Sequence, residues 1–452
     1  MKNQETKEGA QREVKSSPVR GTAAEKKNWK RTILRDVGVS LGVTVALILF
    51  NSVVENTVWG RLFEEMTYNG LQLRLQSAGT GPDLPITVVD IGDIEPETRS
   101  INGEKIKIFP RKTLQDIIAA IAKHEPLAIG VDADFSPDPS GRYVDPQNDP
   151  DFLEFCKGLA QQGVPVFLGV DRRLHVPQSR DWLGSADYKP LAVTIRIPAD
   201  RRRMPQWIKV RGADAQMDSL GAALAERYRV SLPETPSWWQ PFLVRLSTLQ
   251  SSQFSAGEFL VDYTAIDALR DTAIRALGPQ DVEHQGPRFT GKAVLLGEVG
   301  HAALPDVFVA PGKSQPYAGA LIHASSAYTL INGPLYQLTT IGRVWLDFWF
   351  VFFVILVLVT LRLWYEGKGQ KAVAVHRVQT LLTLVAVALV ILAGAVLVNT
   401  TRVIWDDFLF VALALLLHLF FERSVQGMGR WGRLAQRVFH EIILERKRLK
   451  ES

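Results

Sequence analysis

The chain has 452 residues, 52 Lys and Arg against 47 Asp and Glu, a formal net charge of +5 and one cysteine. That length accommodates a folded domain with a sizeable core and further elements beside it. The lone Cys156 excludes an intramolecular disulfide, so a domain in an oxidising compartment is held by its core alone.

Residues 1–35 carry ten Lys and Arg against four Glu and few apolar side chains, the composition of a disordered basic arm. Within residues 36–54, the stretch 37–54 is uncharged and mostly apolar, about long enough for the ~20 helical residues that cross a bilayer. The long hydrophilic arm ahead of it, and no small-residue cleavage site behind it, make it an anchor rather than a cleaved signal peptide. Val58, Leu62, Met66 and Leu73 then lie on a helical stripe, predicting a helix that leaves the membrane and enters a domain.

Strands and helices alternate from there. ITVVDI (86–91) predicts a strand ending at Asp90 and Asp93, and 113–123 a helix preceded by Phe109, Pro110 and Arg111. In PLAIGVDADFSP (126–137) the run 127–131 is apolar throughout and ends in Asp132 and Asp134, as strands buried on both faces of a parallel sheet do. A helix over 152–161 puts Phe152, Phe155, Cys156 and Leu159 on one face, with Cys156 a buried, inert thiol. A strand over 164–170 ends at Asp171. This order implies right-handed crossovers and a parallel core sheet. From 172 to 257 the pattern is weaker. Residues 200–203 read as a solvated charged loop and 219–228 as a helix, ahead of the Pro- and Trp-rich LPETPSWWQP. Strands are predicted over 259–263 and 292–296, the second running into Gly297, Glu298, Val299, Gly300 and His301. A helix over 318–331 closes on Asn332-Gly333.

Three more apolar runs follow, 344–361, 381–398 and 404–421, with Trp345, Trp349, Trp364 and Trp405 near their ends as interfacial anchors. The connection 362–380 holds Arg362, Lys368, Lys371 and Arg377, the connection 399–403 only Arg402, and the tail 422–452 eight Lys and Arg. The positive-inside rule then predicts four spans, both termini cytoplasmic, and residues 55–343 outside the cytoplasm. That outer segment carries 34 Asp and Glu against 29 Lys and Arg, so the basic excess faces anionic lipid and a nucleic-acid partner is excluded. Asp347, Asp406 and Asp407 fall at the outer interface, where charges are solvated rather than part of an ion path, and His418 reads the same way. The fold class is an α/β extracytoplasmic domain with a mostly parallel sheet, plus four transmembrane helices.

The order of motifs resembles the second type of CHASE domain, an extracytoplasmic sensory module of bacterial receptors. The matching pieces are VVDIGD (88–93), FPRKTLQDII (109–118), AIGVDADFS (128–136), NDPDFLEF with VPVFLG (148–169), GKAVLLGEVG (291–300), PDVFVAP (305–311) and GALIHASSAYTLINGPL (319–335). The resemblance covers most of 55–335 and implies a periplasmic sensory domain in the bacterial inner membrane, followed by membrane helices and a cytoplasmic output. Two departures stand out: no Asp-Gly-x-x-Arg-like segment precedes the Trp-rich stretch, and residues 422–452 are too few for a kinase or cyclase. Trp431, Leu434, Val438, Phe439 and Ile442 form an amphipathic pattern with basic flanks, suited to the membrane surface or to a partner helix.

The candidate ligand site gathers Asp90, Asp93, Asp132 and Asp134 at the ends of neighbouring strands with Glu298, His301, Asp306 and His323 from the second half, and Arg111 nearby. Oxygen and imidazole groups converging there suit a divalent metal or a cationic or polar small ligand. The structural alternative is that the carboxylates cap helices, accept backbone N–H groups or pair with Arg111, and that His323 is a packed core histidine. No G-x-S-x-G, H-E-x-x-H or phosphate-cradling loop is present, so enzyme chemistry is not expected. A metal-assisted hydrolase on Asp132, Asp134 and His301 is the minority reading. The expected function is a membrane-anchored sensor acting through a separate cytoplasmic partner, with no cofactor expected other than the divalent metal the site could take, and with a homodimer as one route of signalling. The alternative is an assembly subunit of an inner-membrane complex whose outer domain is a protein-binding platform.

Overall fold

A computed structural model describes residues 65–70, 83–101, 104–136, 143–171, 192–198, 201–209, 216–231, 258–300, 306–333, 335–337, 340–367, 372–401, 403–405 and 411–413, with a few single positions between them. The first half runs β1 (Ile86–Asp90), β2 (Glu97–Ile101), β3 (Glu104–Ile108), α1 (Arg111–Ala122), β4 (Ala128–Val131), α2 (Asp149–Gln161), β5 (Val166–Val170) and β6 (Ala192–Thr194). The next segment contains β7 (Arg203–Pro205), β8 (Trp207–Lys209), β9 (Gln216–Asp218), α3 (Leu220–Ser231), β10 (Glu258–Leu260), α4 (Ile266–Asp271), β11 (Ile274–Arg275) and α5 (Pro279–Glu283). The domain closes with β12 (Ala293–Gly297), β13 (Val307–Val309), β14 (Pro316–Ala318) and α6 (Gly319–Ile331). Last come β15 (Tyr336–Gln337), α7 (Thr340–Gly367), α8 (Ala372–Thr401) and β16 (Val403–Ile404).

Six strands form one sheet in the order β11-β1-β12-β4-β5-β6, and every neighbouring pair is parallel. The period-2 alternation of its strands divides the core in two. Val89, Ile129, Val131, Val166, Leu168, Val294 and Leu296 face one layer with Leu114, Ile117, Ile118 and Ile121 of α1 and Phe152 and Cys156 of α2. Ile86, Val88, Ala128, Phe167, Ala293 and Leu295 face the other, against Leu220 and Leu224 of α3, Leu269 of α4 and Leu321, Ile322 and Ala324 of α6. The result is a helix–sheet–helix sandwich whose central strands have no solvated face. Each fully buried aliphatic side chain, such as Leu114 or Ile117, contributes about 1.5–3 kcal/mol relative to exposure. Gly130 sets the spacing on the second face: a Cβ there would stand 2.8 Å from Leu220 Cδ1, so its absence lets α3 sit close on the sheet.

Three expectations change. The hairpin β2–β3, paired from Glu97↔Ile108 to Ile101↔Glu104, was not anticipated. The charged run at 200–203 is no solvated loop where described: Arg203 opens β7, which pairs antiparallel with β10, and the Arg201 guanidinium lies 5.3 Å over the Phe308 ring. Met204, fully buried, is the anchor that draws this run onto the domain. Asp347 and Trp405 are not solvated interfacial groups. Both are buried, and Trp405 Nε1 donates a 2.8 Å hydrogen bond to Asp347 Oδ1.

Among the described residues one stretch, Thr380–Leu397 of α8, is long and apolar enough to cross a membrane, and α7 carries a shorter apolar stretch, Val344–Val354. The first expected span, most of the last span with Asp406, Asp407 and His418, and the amphipathic tail lie outside the described residues.

Candidate functional site at the carboxyl edge of the sheet

The sheet order decides what meets at its carboxyl edge. β12 enters late in the chain and lies between β1 and β4, so Asp90 and Asp132 flank Gly297 instead of ending adjacent strands. This corrects the simple picture of neighbouring strand ends, because the second half of the chain supplies the middle strand. The loops after β1 and β4 lead to α1 and α2 on one face and the loop after β12 leads to α6 on the other, so the chain parts at this carboxyl edge, the side on which ligands bind in open parallel sheets.

Several candidate residues there are engaged in holding loops. Asp90 Oδ1 accepts hydrogen bonds from Gly92 N (3.0 Å) and Val299 N (2.9 Å), which ties the loop after β12 to the end of β1. Asp93 pairs with Arg275 at 3.3 Å. Asp134 Oδ1 accepts from Ser136 N at 2.9 Å and Asp171 N at 3.4 Å. Arg111 is buried, donates from Nε to Asp149 Oδ1 at 2.6 Å, and stacks 4.2 Å over the Phe135 ring. Asp149 in turn accepts from Asp145 N at 2.8 Å, so this pair knits the starts of α1 and α2.

Asp132 differs. Its backbone N–H continues the ladder to Leu296 O at 2.8 Å, but its carboxyl, 8 % exposed, forms no hydrogen bond among the described residues. His323 Nε2 stands 3.9 Å from Asp132 Oδ1. Burial, with Asp306 and then Glu298 adding negative charge, pushes the Asp132 carboxyl up to about 8, so it is protonated at neutral pH. Asp306 is also raised, by burial and then by Asp171. It sits against the first turn of α6: its carbonyl accepts from Gly319 N at 3.1 Å, and a Cβ on Gly319 would collide with its carboxylate.

His323 lies one turn further along α6 and is 1 % exposed. Burial pushes its imidazole down to about 4, and the ring is neutral. With a carbonyl, Ile195 O, at 3.0 Å, Nε2 carries the proton and donates, which leaves the Nδ1 lone pair without a partner among the described residues. Gly297 permits this convergence: a Cβ there would stand 2.6 Å from Ala320 Cβ and 3.1 Å from Asp132 Cβ.

The structure thus brings together Asp132, Glu298, Asp306 and His323, while Asp90, Asp93, Asp134 and Arg111 have local partners. His301 lies outside the described residues. Asp171, which ends the strand predicted over 164–170, was not among the candidate ligands, although it follows β5 as Asp132 follows β4. Among the described residues no group of three or more His, Cys, Asp or Glu is disposed to hold a metal ion. The arrangement places a protonated acid beside a neutral imidazole whose Nε2–H is held by Ile195 O, so neither group is charged at neutral pH. It can also take a positively charged group, since each carboxylate made near Asp132 gains from a cation that replaces lost solvation.

No curated protein and no solved structure matches the chain. Residues 41–361 match the CHASE2 domain, an extracytoplasmic sensory domain. A match over that much of 452 residues, with the parallel sheet in place, establishes that the chain belongs to the CHASE2 domain family.

Proposed function

We propose that this protein is a sensor of the bacterial inner membrane. Its outer domain binds a cationic or polar small ligand at Asp132, Glu298, Asp306 and His323, and it acts through a separate cytoplasmic partner. In this reading four helices span the membrane, at 36–54, 344–361, 381–398 and 404–421. Both termini are cytoplasmic, and residues 55–343 lie outside. Family membership supports the sensory role, and the apolar stretch Thr380–Leu397 supports the membrane setting. The observation that carries the site is the Asp132 carboxyl, buried beside two further acids and without a hydrogen bond among the described residues. A strand-end carboxyl whose proton affinity is raised by burial and by two neighbouring acids is the kind of group that marks a functional site.

The test is thermal unfolding of the full chain in detergent against divalent metal salts, polyamines and polar metabolites. The same titrations are run on Asp132→Asn. A ligand that binds the native state raises the midpoint in a concentration-dependent way. A shift lost in the variant supports the site. No shift from any compound refutes it and favours the second reading, a platform for protein partners. The internal hydrogen bonds of Asp90, Asp134 and Arg111 speak for that alternative.

A further inference from the structure

The two ends of α6 face different parts of the molecule. Its first turns carry Gly319 and His323 at the carboxyl edge of the sheet. Toward its other end, Thr329 Oγ1 accepts a 2.7 Å hydrogen bond from Asp262 N and donates to Ser325 O at 2.7 Å. The residue before Asp262, Val261, accepts a hydrogen bond on its carbonyl from the Tyr68 hydroxyl. One residue earlier, Leu260 at the end of β10 forms an antiparallel bridge with Leu335.

Four segments distant in sequence close over each other here. Tyr68, Leu260, Leu335 and Ile404 form a separate buried apolar cluster, none more than 6 % exposed. Directly after Leu335, β15 pairs in parallel with β16, Tyr336 with Val403 and Gln337 with Ile404. The residue after β16 is Trp405, whose indole donates to Asp347 of α7 and lies 5.7 Å from the Phe350 ring. A pair of two-residue strands has few hydrogen bonds of its own and is marginal without side-chain support. It is therefore the part of this assembly most readily made and broken.

We infer that the β15–β16 pair with Tyr68, Leu260, Leu335 and Ile404 is a joint that couples the position of α6 to the α7–α8 helix pair. A displacement of α6 at its His323 end reaches Thr329, shifts the 260–262 strand exit, and changes the pairing of β15 with β16. The Asp347–Trp405 hydrogen bond fixes the membrane-side half of the joint. The sensory direction of this coupling rests on the proposed ligand site, but the joint itself does not.

Hydrogen–deuterium exchange on the full chain in lipid nanodiscs tests it in two arms. The first compares the wild type with Tyr68→Phe, which removes the hydroxyl that donates to Val261 O and keeps the ring, and Trp405→Phe, which removes the indole N–H that donates to Asp347 and replaces the indole by a smaller ring. Coupling is reciprocal, so exchange should quicken in 335–337 and 260–264 and along α6 to residues 319–323. The expected change is about fivefold, the effect of one lost hydrogen bond. Change confined to 400–410 for Trp405→Phe and to 65–70 for Tyr68→Phe overturns the joint. As a variant that strengthens rather than weakens, Gln337→Cys with Ile404→Cys should oxidise to a disulfide, since paired strand positions lie within its reach. It should slow exchange in the same α6 amides, and failure to form overturns the pairing. The second arm measures Asp132→Asn. Altered exchange at both 298–300 and 403–405 supports transmission from the site. A response at 298–300 alone overturns transmission from the site through the joint, and the joint itself then stands or falls with the first arm. A first arm that reaches α6, with no response to Asp132→Asn, upholds the joint and refutes the site.

Discussion

Replacing Asp132 by Asn should change the shape of the pH–stability curve, and the sign follows from two opposed shifts. The Asp132 carboxyl is raised from 3.8 to about 8 by burial and by Asp306 and Glu298. Its contribution to stability is fully present below pH 3.8 and is lost as pH rises to 8, because the unfolded chain releases a proton that the native state keeps. The His323 imidazole is lowered from 6.5 to about 4 by burial. Its contribution is present above pH 6.5 and is lost as pH falls to 4. Each slope is about 1.4 kcal/mol per pH unit, and between about pH 4 and 6.5 they cancel. From pH 6.5 to 8 only the Asp132 slope remains, so the native state loses about 2 kcal/mol, or about 3 °C in the midpoint for a domain of this size. In Asp132→Asn that fall disappears. The uncancelled His323 slope appears instead, with stability rising by about 3 kcal/mol from pH 4 to 6.5. Asp306, raised in the same direction, contributes to both proteins, so the difference between the curves isolates Asp132. Thermal unfolding of the full chain in detergent from pH 4 to 8.5 measures both. Parallel curves for wild type and Asp132→Asn would refute a neutral, buried Asp132.

Three further outcomes test the surroundings. Gly297→Ala should cost about 1–3 kcal/mol by thermal unfolding, because the new methyl group meets Ala320 Cβ at 2.6 Å at a place where sheet and helix have no slack. Arg111→Met should cost about 3–5 kcal/mol, since it strips a buried Asp149 of its charged partner; adding Asp149→Asn should recover part of that loss in a double-mutant cycle. Cys156 has no exposed surface, and burial pushes its thiol well above the ordinary range. Maleimide at pH 8 should leave it unlabelled in the native protein and label it fully after denaturation.

The parallel core was legible because its strands state their environment. Runs such as Ile86–Asp90 and Ala128–Val131 are apolar on both faces and alternate with helices of clear amphipathic spacing. The hairpin β2–β3 was also written locally, since Asn102-Gly103 sits between two alternating segments, the pattern of a tight two-residue turn. Arg99, Lys105 and Lys107 lower the apolar signal of these two segments. The place of β12 in the sheet was not legible. Nothing within 292–297 says that this strand enters between β1 and β4; that depends on α6 and α3 covering one face and α1 covering the other.

The same distinction explains why the candidate carboxylates could be named but not ranked. Asp90 and Asp134 each precede, by two residues, the backbone N–H that they accept, Gly92 and Ser136, and local sequence is sufficient for such turns. Asp132 occupies an equivalent strand-end position, yet its state is set by groups far away in the chain. Glu298 and Asp306 lie more than 160 residues downstream, and the cover over it is Ala320 and His323 of α6. Without that helix, Asp132 would be an ordinary solvated aspartate. Its neutrality is therefore a report on the position of α6, and any movement of α6 that admits water lowers its proton affinity. Charge created there then opposes the return of the helix. On the proposed reading this makes the site two-state by construction. Closed, it holds a neutral acid and a neutral imidazole; opened, it is an anionic cluster ready for a cation, and the two differ by the placement of one helix end.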